Sequence, residues 1–145
     1  MAKILVVEDN ALNIKLFCDL LTAHGHEAEA VTDSREALDA ARAFAPDLVI
    51  TDIQLPYISG LKLIEMLKAD PDLARVPIMA VTAYAASGDE ERFRAAGAQA
   101  YVSKPISVVR FVESVTELLE SVGVPEEIAG EQGPGDAASA QKPPT

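Results

Sequence analysis

Short apolar runs alternate with amphipathic segments five times along this chain. The runs have the length of buried strands and cover residues 4–7, 27–31, 48–50, 78–81 and 100–102. The amphipathic segments have apolar residues three and four positions apart, and they cover about residues 10–25, 34–45, 60–69, 89–96 and 108–122. This alternation predicts an α/β protein in which helices cover both faces of a parallel sheet through right-handed crossovers.

The strands differ in how continuously apolar they are, and this difference predicts their order. The second and fifth runs are the least apolar, as expected of strands at the edges of a sheet. We therefore expect a doubly wound, flavodoxin-like (βα)5 sheet with strand order 2-1-3-4-5. Within the first helix, the apolar spacing predicts a buried face centred on Leu16, Phe17 and Leu20, with Ala11, Ile14 and Cys18 toward its outer margin.

Four of the five runs lead directly into residues that bind ions or react. The polar residues that follow these runs are Glu8-Asp9, Thr51-Asp52, Thr82 and Ser103-Lys104. The carboxyl ends of parallel strands converge on one edge of the sheet, which is where ligands bind in such folds. Three carboxylates, a hydroxyl and an amine are therefore expected to share one pocket.

The three carboxylates predict a cation site. Glu8, Asp9 and Asp52 would repel one another unless a proton or a metal ion neutralised them, and oxygen-rich clusters of this kind suit Mg²⁺. Asp9 could instead cap the first helix and Asp52 could simply end a strand. Neither alternative explains Lys104 and Thr82 at the ends of the neighbouring strands. A carboxylate flanked by a metal, an ammonium and a hydroxyl is suited to receive a phosphoryl group.

Composition narrows the class of protein. The chain has 145 residues, which suits one folded domain, and its formal net charge of −11 argues against direct binding to nucleic acid. The first residues lack the apolar core of a signal peptide or a membrane span, so we expect a cytoplasmic protein without membrane insertion. One cysteine, Cys18, excludes an internal disulfide. Residues 123–145 are rich in Pro and Gly and are predicted to be a disordered tail or, alternatively, a partner-recruiting peptide, with no output domain.

Together these motifs resemble the response-regulator receiver domains of bacterial two-component signalling. The resemblance covers about residues 2–122 and extends to single-domain regulators of the cell cycle. It is carried by Glu8-Asp9, Asp52 within the segment 51–56, Ser59-Gly60, Val81-Thr82-Ala83 and Lys104-Pro105. The resemblance implies a phosphoacceptor regulator, with at most self-phosphorylation and self-dephosphorylation activity.

The resemblance also assigns roles to individual residues. It implies that Asp52 accepts the phosphoryl group and that Asp9 and Asp52 bind Mg²⁺ directly. It implies further that the Gln54 carbonyl is a third protein ligand and that Glu8 acts through water. Lys104 would hold the phosphate and precede a cis peptide bond.

A conformational switch is implied as well. Thr82 would move its hydroxyl to the phosphoryl group while Tyr101 rotates inward. The alternatives are that Thr82 only caps, that Tyr101 only covers an edge strand and that Lys104 pairs structurally with Asp52.

Possible partners follow from the resemblance and from one apolar strip. A sensor histidine kinase/phosphatase or a histidine phosphotransferase would exchange phosphate, a downstream regulatory protein would read the state, and the chain would be monomeric. The strip is predicted as a docking surface for a helical bundle, although ordinary exposed apolar area is an equal alternative. Its members are Ala11, Ile14, Cys18, Ile106 and Val109.

Three functions remain open from the sequence. The first is a phosphorylation-switched regulator that binds proteins, and the second is a phosphate shuttle or sink in a phosphorelay. The third, a haloacid-dehalogenase-like phosphohydrolase, is disfavoured because that pattern requires an aspartate two residues after the nucleophile and this chain has Gln54 there.

Overall fold

A computed structural model describes residues 2–83 and 89–123 of the chain. Its five strands are β1 Lys3–Val7, β2 Glu27–Val31, β3 Leu48–Asp52, β4 Ile78–Thr82 and β5 Ala100–Ser103. Its five helices are α1 Ala11–Ala23, α2 Ala37–Phe44, α3 Gly60–Ala69, α4 Asp89–Ala96 and α5 Val108–Gly123. A short 3-10 turn, Ser34–Glu36, precedes α2. The predicted tail lies outside the described residues except for Gly123, which ends α5.

All strands are parallel, and their order is β2-β1-β3-β4-β5, so the predicted topology is confirmed. Three central strands, β1, β3 and β4, are almost completely buried, whereas β2 and β5 are partly exposed. The difference follows from their apolar content, because a central strand of a doubly covered sheet meets no water on either face.

Side chains alternate between the two faces of the sheet and form two hydrophobic layers. In β1, Leu5 and Val7 face the layer that contains residues of α2, α3 and α4. Ile4 and Val6 face the layer that contains residues of α1 and α5, where the rings of Phe17 and Phe111 stack with centroids 5.2 Å apart. Both layers leave the carboxyl ends of the strands open for the polar residues that follow them.

Neighbouring residues determine where helix α1 begins and ends. Asn10 caps α1 by accepting hydrogen bonds from the N–H groups of Leu12 and Asn13, so the capping residue is Asn10 and not Asp9. At the other end of α1, Gly25 adopts φ +86°, the left-handed region that glycine enters without steric cost. Asp9 is thereby left available for another role.

The buried face of α1 differs from the predicted one. Phe17 is buried as expected, but Leu21 is the second buried residue, Leu20 is only half-buried and Leu16 is 38% exposed. The sequence has apolar residues on more than one side of this helix, so spacing alone misplaces the centre of the face by part of a turn. In α5, Val108 at the start of the helix is likewise 47% exposed, whereas Phe111, Val115 and Leu118 are buried.

Among the described residues, no helix is both long enough and apolar enough to span a membrane. This finding agrees with the helical lengths, because a membrane span needs about 20 predominantly apolar residues.

Candidate functional site

Asp52, the last residue of β3, forms the centre of the site. Its carboxylate is buried, with 5% of the residue exposed. One oxygen, Oδ2, accepts a hydrogen bond from Lys104 Nζ at 2.7 Å, and the other, Oδ1, accepts one from the backbone N–H of Gln54 at 3.1 Å. Both oxygens are thus oriented by groups from two different strand ends.

Glu8 lies beside Asp52 and is almost completely buried. Its Oε2 accepts a hydrogen bond from the Asn10 N–H at 3.1 Å, and Lys104 Nζ lies 3.4 Å from its Oε1. Burial raises the pKa of Glu8 to about 7, and the nearby charge of Asp52 adds to that rise, although Lys104 opposes it. One ammonium therefore does not fully compensate two neighbouring carboxylates.

A third carboxylate completes the cluster. Carboxylate oxygens of Glu8, Asp9 and Asp52 all lie within 4.8 Å of one another, and Asp9 is exposed while the other two are buried. The donor set fits Mg²⁺, which takes few protein ligands, prefers oxygen and keeps several waters. The open side at Asp9 leaves room for those waters.

Lys104 brings its charge into the cluster from the end of β5. Its backbone N–H donates to the Thr82 carbonyl at 2.7 Å, and the Lys104-Pro105 peptide bond is cis, as the family resemblance implied. Burial acts to lower the pKa of Lys104, but the hydrogen bonds and charges of Asp52 and Glu8 together raise it above its ordinary value. The ammonium form of Lys104 is therefore favoured beside the two carboxylates.

The two residues expected to switch, Thr82 and Tyr101, lie on the neighbouring strands β4 and β5. Thr82 is buried at the end of β4, and its Oγ1 accepts a hydrogen bond from Gln54 Nε2 at 3.3 Å. Tyr101 is half-buried in β5, and its ring lies against Phe93 of α4 with centroids 5.3 Å apart. Thr82 is thus in contact with the loop after Asp52, while Tyr101 covers the neighbouring edge of the sheet.

Gly60, the first residue of α3, allows the helix to approach β3 closely. A Cβ atom at this position would overlap the carbonyl oxygen of Asp52 and lie 2.6 Å from the Cα of Ile53. Gly60 also donates its N–H to the Ile53 carbonyl at 3.0 Å. Glycine at this motif position is therefore a steric requirement for the backbone around Asp52, a role that the sequence alone did not reveal.

Ser34 is a second residue that the sequence analysis missed. It is buried, and its hydroxyl bonds to the loop between β3 and α3. Nothing in its local sequence distinguishes it from an ordinary serine near a helix start, because its partners are more than 20 residues away.

The predicted docking residues lie on α1 and around the start of α5. Ala11 and Val109 are exposed, whereas Ile14, Cys18 and Ile106 are half-buried. Cys18 and Ile106 pack against the same hydrophobic layer. The structure adds two exposed apolar side chains that were not predicted for this surface, Leu12 at 79% and Val108 at 47%.

Comparisons with known proteins agree with the fold and identify the family to which the chain belongs. The model of the response regulator receiver domain family matches residues 4–116, and the chain belongs to that family. The polar-differentiation response regulator DivK of Brucella anthropi is 52% identical over 116 residues, which are 80% of this chain and 94% of that protein. This finding confirms a resemblance to DivK that residues 8–21, 53–61 and 103–109 already suggest.

Solved structures show the same architecture. The receiver domain of a signal transduction histidine kinase from Syntrophus aciditrophicus is 31% identical with a TM-score of 0.78, over 85% of this chain and 93% of that one. The receiver domain of a sensor histidine kinase from Pseudomonas aeruginosa is 30% identical with a TM-score of 0.75, over 81% of this chain and 97% of that one. The second structure has a magnesium ion coordinated in its active-site cleft.

Proposed function

We propose that this protein is a regulator that accepts a phosphoryl group on Asp52 and signals by binding other proteins according to its phosphorylation state. The observation that carries the proposal is the arrangement around Asp52. Its carboxylate is buried and bonded to Lys104 at 2.7 Å, and three carboxylates lie within 4.8 Å of one another. Such a site has an anionic nucleophile together with the groups that would neutralise an arriving phosphate.

The Mg²⁺ ligands we propose are Asp9 and Asp52 directly, the Gln54 carbonyl as the third protein oxygen, and Glu8 through water. The magnesium in the cleft of the Pseudomonas aeruginosa receiver domain supports this proposal. When bound, Mg²⁺ would offset the negative charge of the carboxylates and of the transferring phosphoryl group. Asp9 is exposed, so the ion would enter from the solvent side.

In the proposed transfer, an oxygen of Asp52 attacks the phosphorus of a phosphohistidine on a sensor kinase or a histidine phosphotransferase. A new P–O bond forms while the P–N bond breaks, and the bonding electron pair leaves with the imidazole nitrogen. Lys104 is already 2.7 Å from Asp52 and would move its ammonium to a phosphoryl oxygen. Lys104 and Thr82 hold the product, an aspartyl phosphate.

We propose that the signal passes through Thr82 and Tyr101. The Thr82 hydroxyl would exchange its contact with Gln54 Nε2 for a phosphoryl oxygen, and Tyr101 would rotate into the vacated space. A domain about 1% active when free needs roughly 5.5 kcal/mol of preference to become about 99% active. New contacts of Lys104 and Thr82 with the phosphate, together with the loops they reorder, would supply that preference.

The test of the phosphoacceptor is a substitution that keeps the shape of Asp52 and removes its nucleophilic charge. We expect Asp52→Asn to abolish stoichiometric labelling by a small acyl phosphate in the presence of Mg²⁺, measured by intact-protein mass spectrometry. Asp70→Asn is a matched control, because Asp70 is also a buried aspartate, and it should label normally. Undiminished labelling of Asp52→Asn would refute the assignment.

We propose that the kinase or phosphotransferase docks on the apolar strip of Ala11, Ile14, Cys18, Ile106 and Val109. Ile14→Glu should slow transfer from the cognate kinase and leave labelling by the small donor intact. Ala43→Glu, an exposed position on α2, is the matched control and should leave both reactions unchanged. Equal loss of both reactions in Ile14→Glu would indicate misfolding and would contradict a docking role.

The related DivK proteins, named for polar differentiation, favour a role in cell-cycle or cell-division control for this chain. We accordingly propose a cytoplasmic, monomeric regulator with a downstream protein partner and without nucleic-acid binding. The alternative is a phosphate shuttle or sink. Wild type and Asp52→Asn, used as baits under phosphorylating conditions, distinguish the two, because a regulator retains a downstream protein in only one state and a sink does not.

A further inference from the structure

The turn before α2 is bonded to the loop that follows Asp52. Ser34 has 1% of its surface exposed, and its Oγ donates to the Pro56 carbonyl at 2.7 Å. The same oxygen accepts a hydrogen bond from the Ile58 N–H at 3.0 Å. One buried hydroxyl thus joins two backbone groups that lie two residues apart in the loop.

Tyr57, the residue between those two groups, has an unfavourable backbone conformation. Its φ of +70° lies in the left-handed region, which residues other than glycine seldom adopt and which persists only where surrounding contacts enforce it. The Arg35 guanidinium lies over the Tyr57 ring at 3.7 Å from the centroid. Arg35 is held in turn by Asp33, whose two carboxylate oxygens accept from Nε at 3.1 Å and from Nη2 at 2.8 Å. Residues 33–35 therefore fix the conformation of residues 56–58.

The hydroxyl of Ser34 is not required by its own turn. Asp33 already caps that turn by accepting the Arg35 N–H at 2.9 Å. Within the described part of the chain, Ser34 Oγ makes two hydrogen bonds, and both join it to the distant loop. A serine here thus shapes the loop rather than the helix that follows it.

The other end of the same loop holds the phosphoacceptor. Gln54 donates its N–H to Asp52 Oδ1 at 3.1 Å, and the carbonyl of Ile53 accepts the N–H groups of Leu55 and Gly60. The segment between Gln54 and Ile58 is therefore attached to the Asp52 carboxylate at one end and to Ser34 at the other. A shift of the loop at Ile58, caused by a substitution at Ser34, would therefore be separated from the proposed metal ligands by only a few residues.

We infer that Ser34 is a positioning residue for the phosphoacceptor site, which acts by holding the loop of residues 53–59 so that the Gln54 backbone faces Asp52, with Arg35 supporting it through Tyr57. The inference rests on the proposed function, since it assigns the loop to Mg²⁺ and phosphoryl binding. Groups that orient metal ligands without touching the metal commonly change affinity by 10- to 100-fold when they are removed.

The test compares Mg²⁺ binding and loop protection in Ser34→Ala and wild type. We expect the Mg²⁺ dissociation constant, measured by isothermal titration calorimetry, to rise about tenfold. Amide hydrogen exchange at Ile58 should accelerate about tenfold as well, because its N–H loses its acceptor. Arg35→Ala, an exposed substitution that leaves the core intact, should raise the dissociation constant about threefold.

A control separates positioning from a general loss of stability. Val115→Ala removes buried volume from the opposite hydrophobic layer and should leave both the Mg²⁺ affinity and Ile58 exchange unchanged at a temperature where every variant is folded. If Ser34→Ala binds Mg²⁺ as wild type does, the positioning role is refuted and the proposed function stands. If wild type itself fails to bind Mg²⁺ and to accept phosphate, the proposed function is refuted and the positioning role with it.

Discussion

Asp52 and Asp70 are two buried aspartates with the same kind of partner and different surroundings. Asp52 is 5% exposed and bonds Lys104, and Asp70 is 6% exposed and bonds Arg42, with donor-to-oxygen distances of 2.7 Å in both pairs. Asp70 follows α3 and precedes β4, so it lies toward the amino ends of the strands. Asp52 lies at their carboxyl ends, where the ligand sites of such sheets occur.

The two sites differ in how well their charge is matched. Both Nε and Nη2 of Arg42 lie 2.7 Å from Asp70 Oδ2, and the Asp72 N–H donates to Oδ1 at 2.8 Å. Among the residues that the structure describes, Asp52 shares a single ammonium with Glu8 and lies within a cluster of three carboxylates. A buried carboxylate with a cation partner is therefore compatible with a purely structural role. The unmatched negative charge around Asp52 is what indicates a ligand.

Mg²⁺ should distinguish the two sites most strongly. At a free concentration 100 times its dissociation constant, an ion that binds only the folded state stabilises it by about 2.7 kcal/mol. We expect this increase in the free energy of unfolding for wild type and for Asp70→Asn, measured by denaturant titration with and without Mg²⁺. Asp52→Asn should lose most of it. An equal increase in all three proteins would show that the ion binds elsewhere.

Neutralising Asp70 should cost stability without affecting the phosphoacceptor. Asp70→Asn removes the charge that pairs with Arg42 and replaces an acceptor oxygen of a buried group, which leaves the guanidinium poorly matched. We expect the melting temperature to fall by about 5 °C in circular dichroism. A melting temperature equal to that of wild type would contradict a structural role for this pair.

Neutralising Asp52 should raise the melting temperature, by less than the neutralisation of Asp70 lowers it. Without Mg²⁺, Asp52→Asn removes one of three clustered like charges, and Lys104 still lies near Glu8. We expect the melting temperature in a chelator to rise by about 2 °C. A fall in melting temperature as large as that of Asp70→Asn would show that the two aspartates have the same structural role.

The sequence predicts the strand order from the apolar content of each strand, and it predicts the location of the carboxylates from that order. Asp52 and Thr82 end their strands, and Glu8 and Lys104 directly follow theirs. The carboxyl ends of these strands meet at one edge in any parallel sheet of this order, so the approach of the four residues follows from topology. The buried face of α1 was predicted incorrectly at Leu16, because apolar residues surround much of that helix and spacing does not select one side. Packing against Phe111 selects the side that carries Phe17.

The structural roles of Ser34 and Gly60 could not be predicted from the sequence for a different reason. The bonds of Ser34 join segments 22 and 24 residues apart, and the requirement at Gly60 arises from the carbonyl of Asp52 on another element. Both depend on how closely two backbones approach in the folded chain. Local patterns of polar and apolar residues do not predict how closely these backbones approach.

The smallest expected effect is the pH dependence of the contribution that the charge of Asp70 makes to stability. Comparing wild type with Asp70→Asn isolates this contribution, because the two proteins differ only at this carboxyl group. The Asp72 N–H and the Arg42 guanidinium hold the pKa of Asp70 below its ordinary value of 3.8. A carboxyl with a lowered pKa in the folded state stabilises the protein fully above the unfolded value, and this contribution is lost as the pH falls through the folded pKa. The difference in melting temperature between wild type and Asp70→Asn should therefore be constant from pH 7 to about pH 5 and should shrink below about pH 3.8. A difference that stays constant to the lowest pH at which both proteins remain folded would show that the variant loses stability through packing and not through the charge of Asp70.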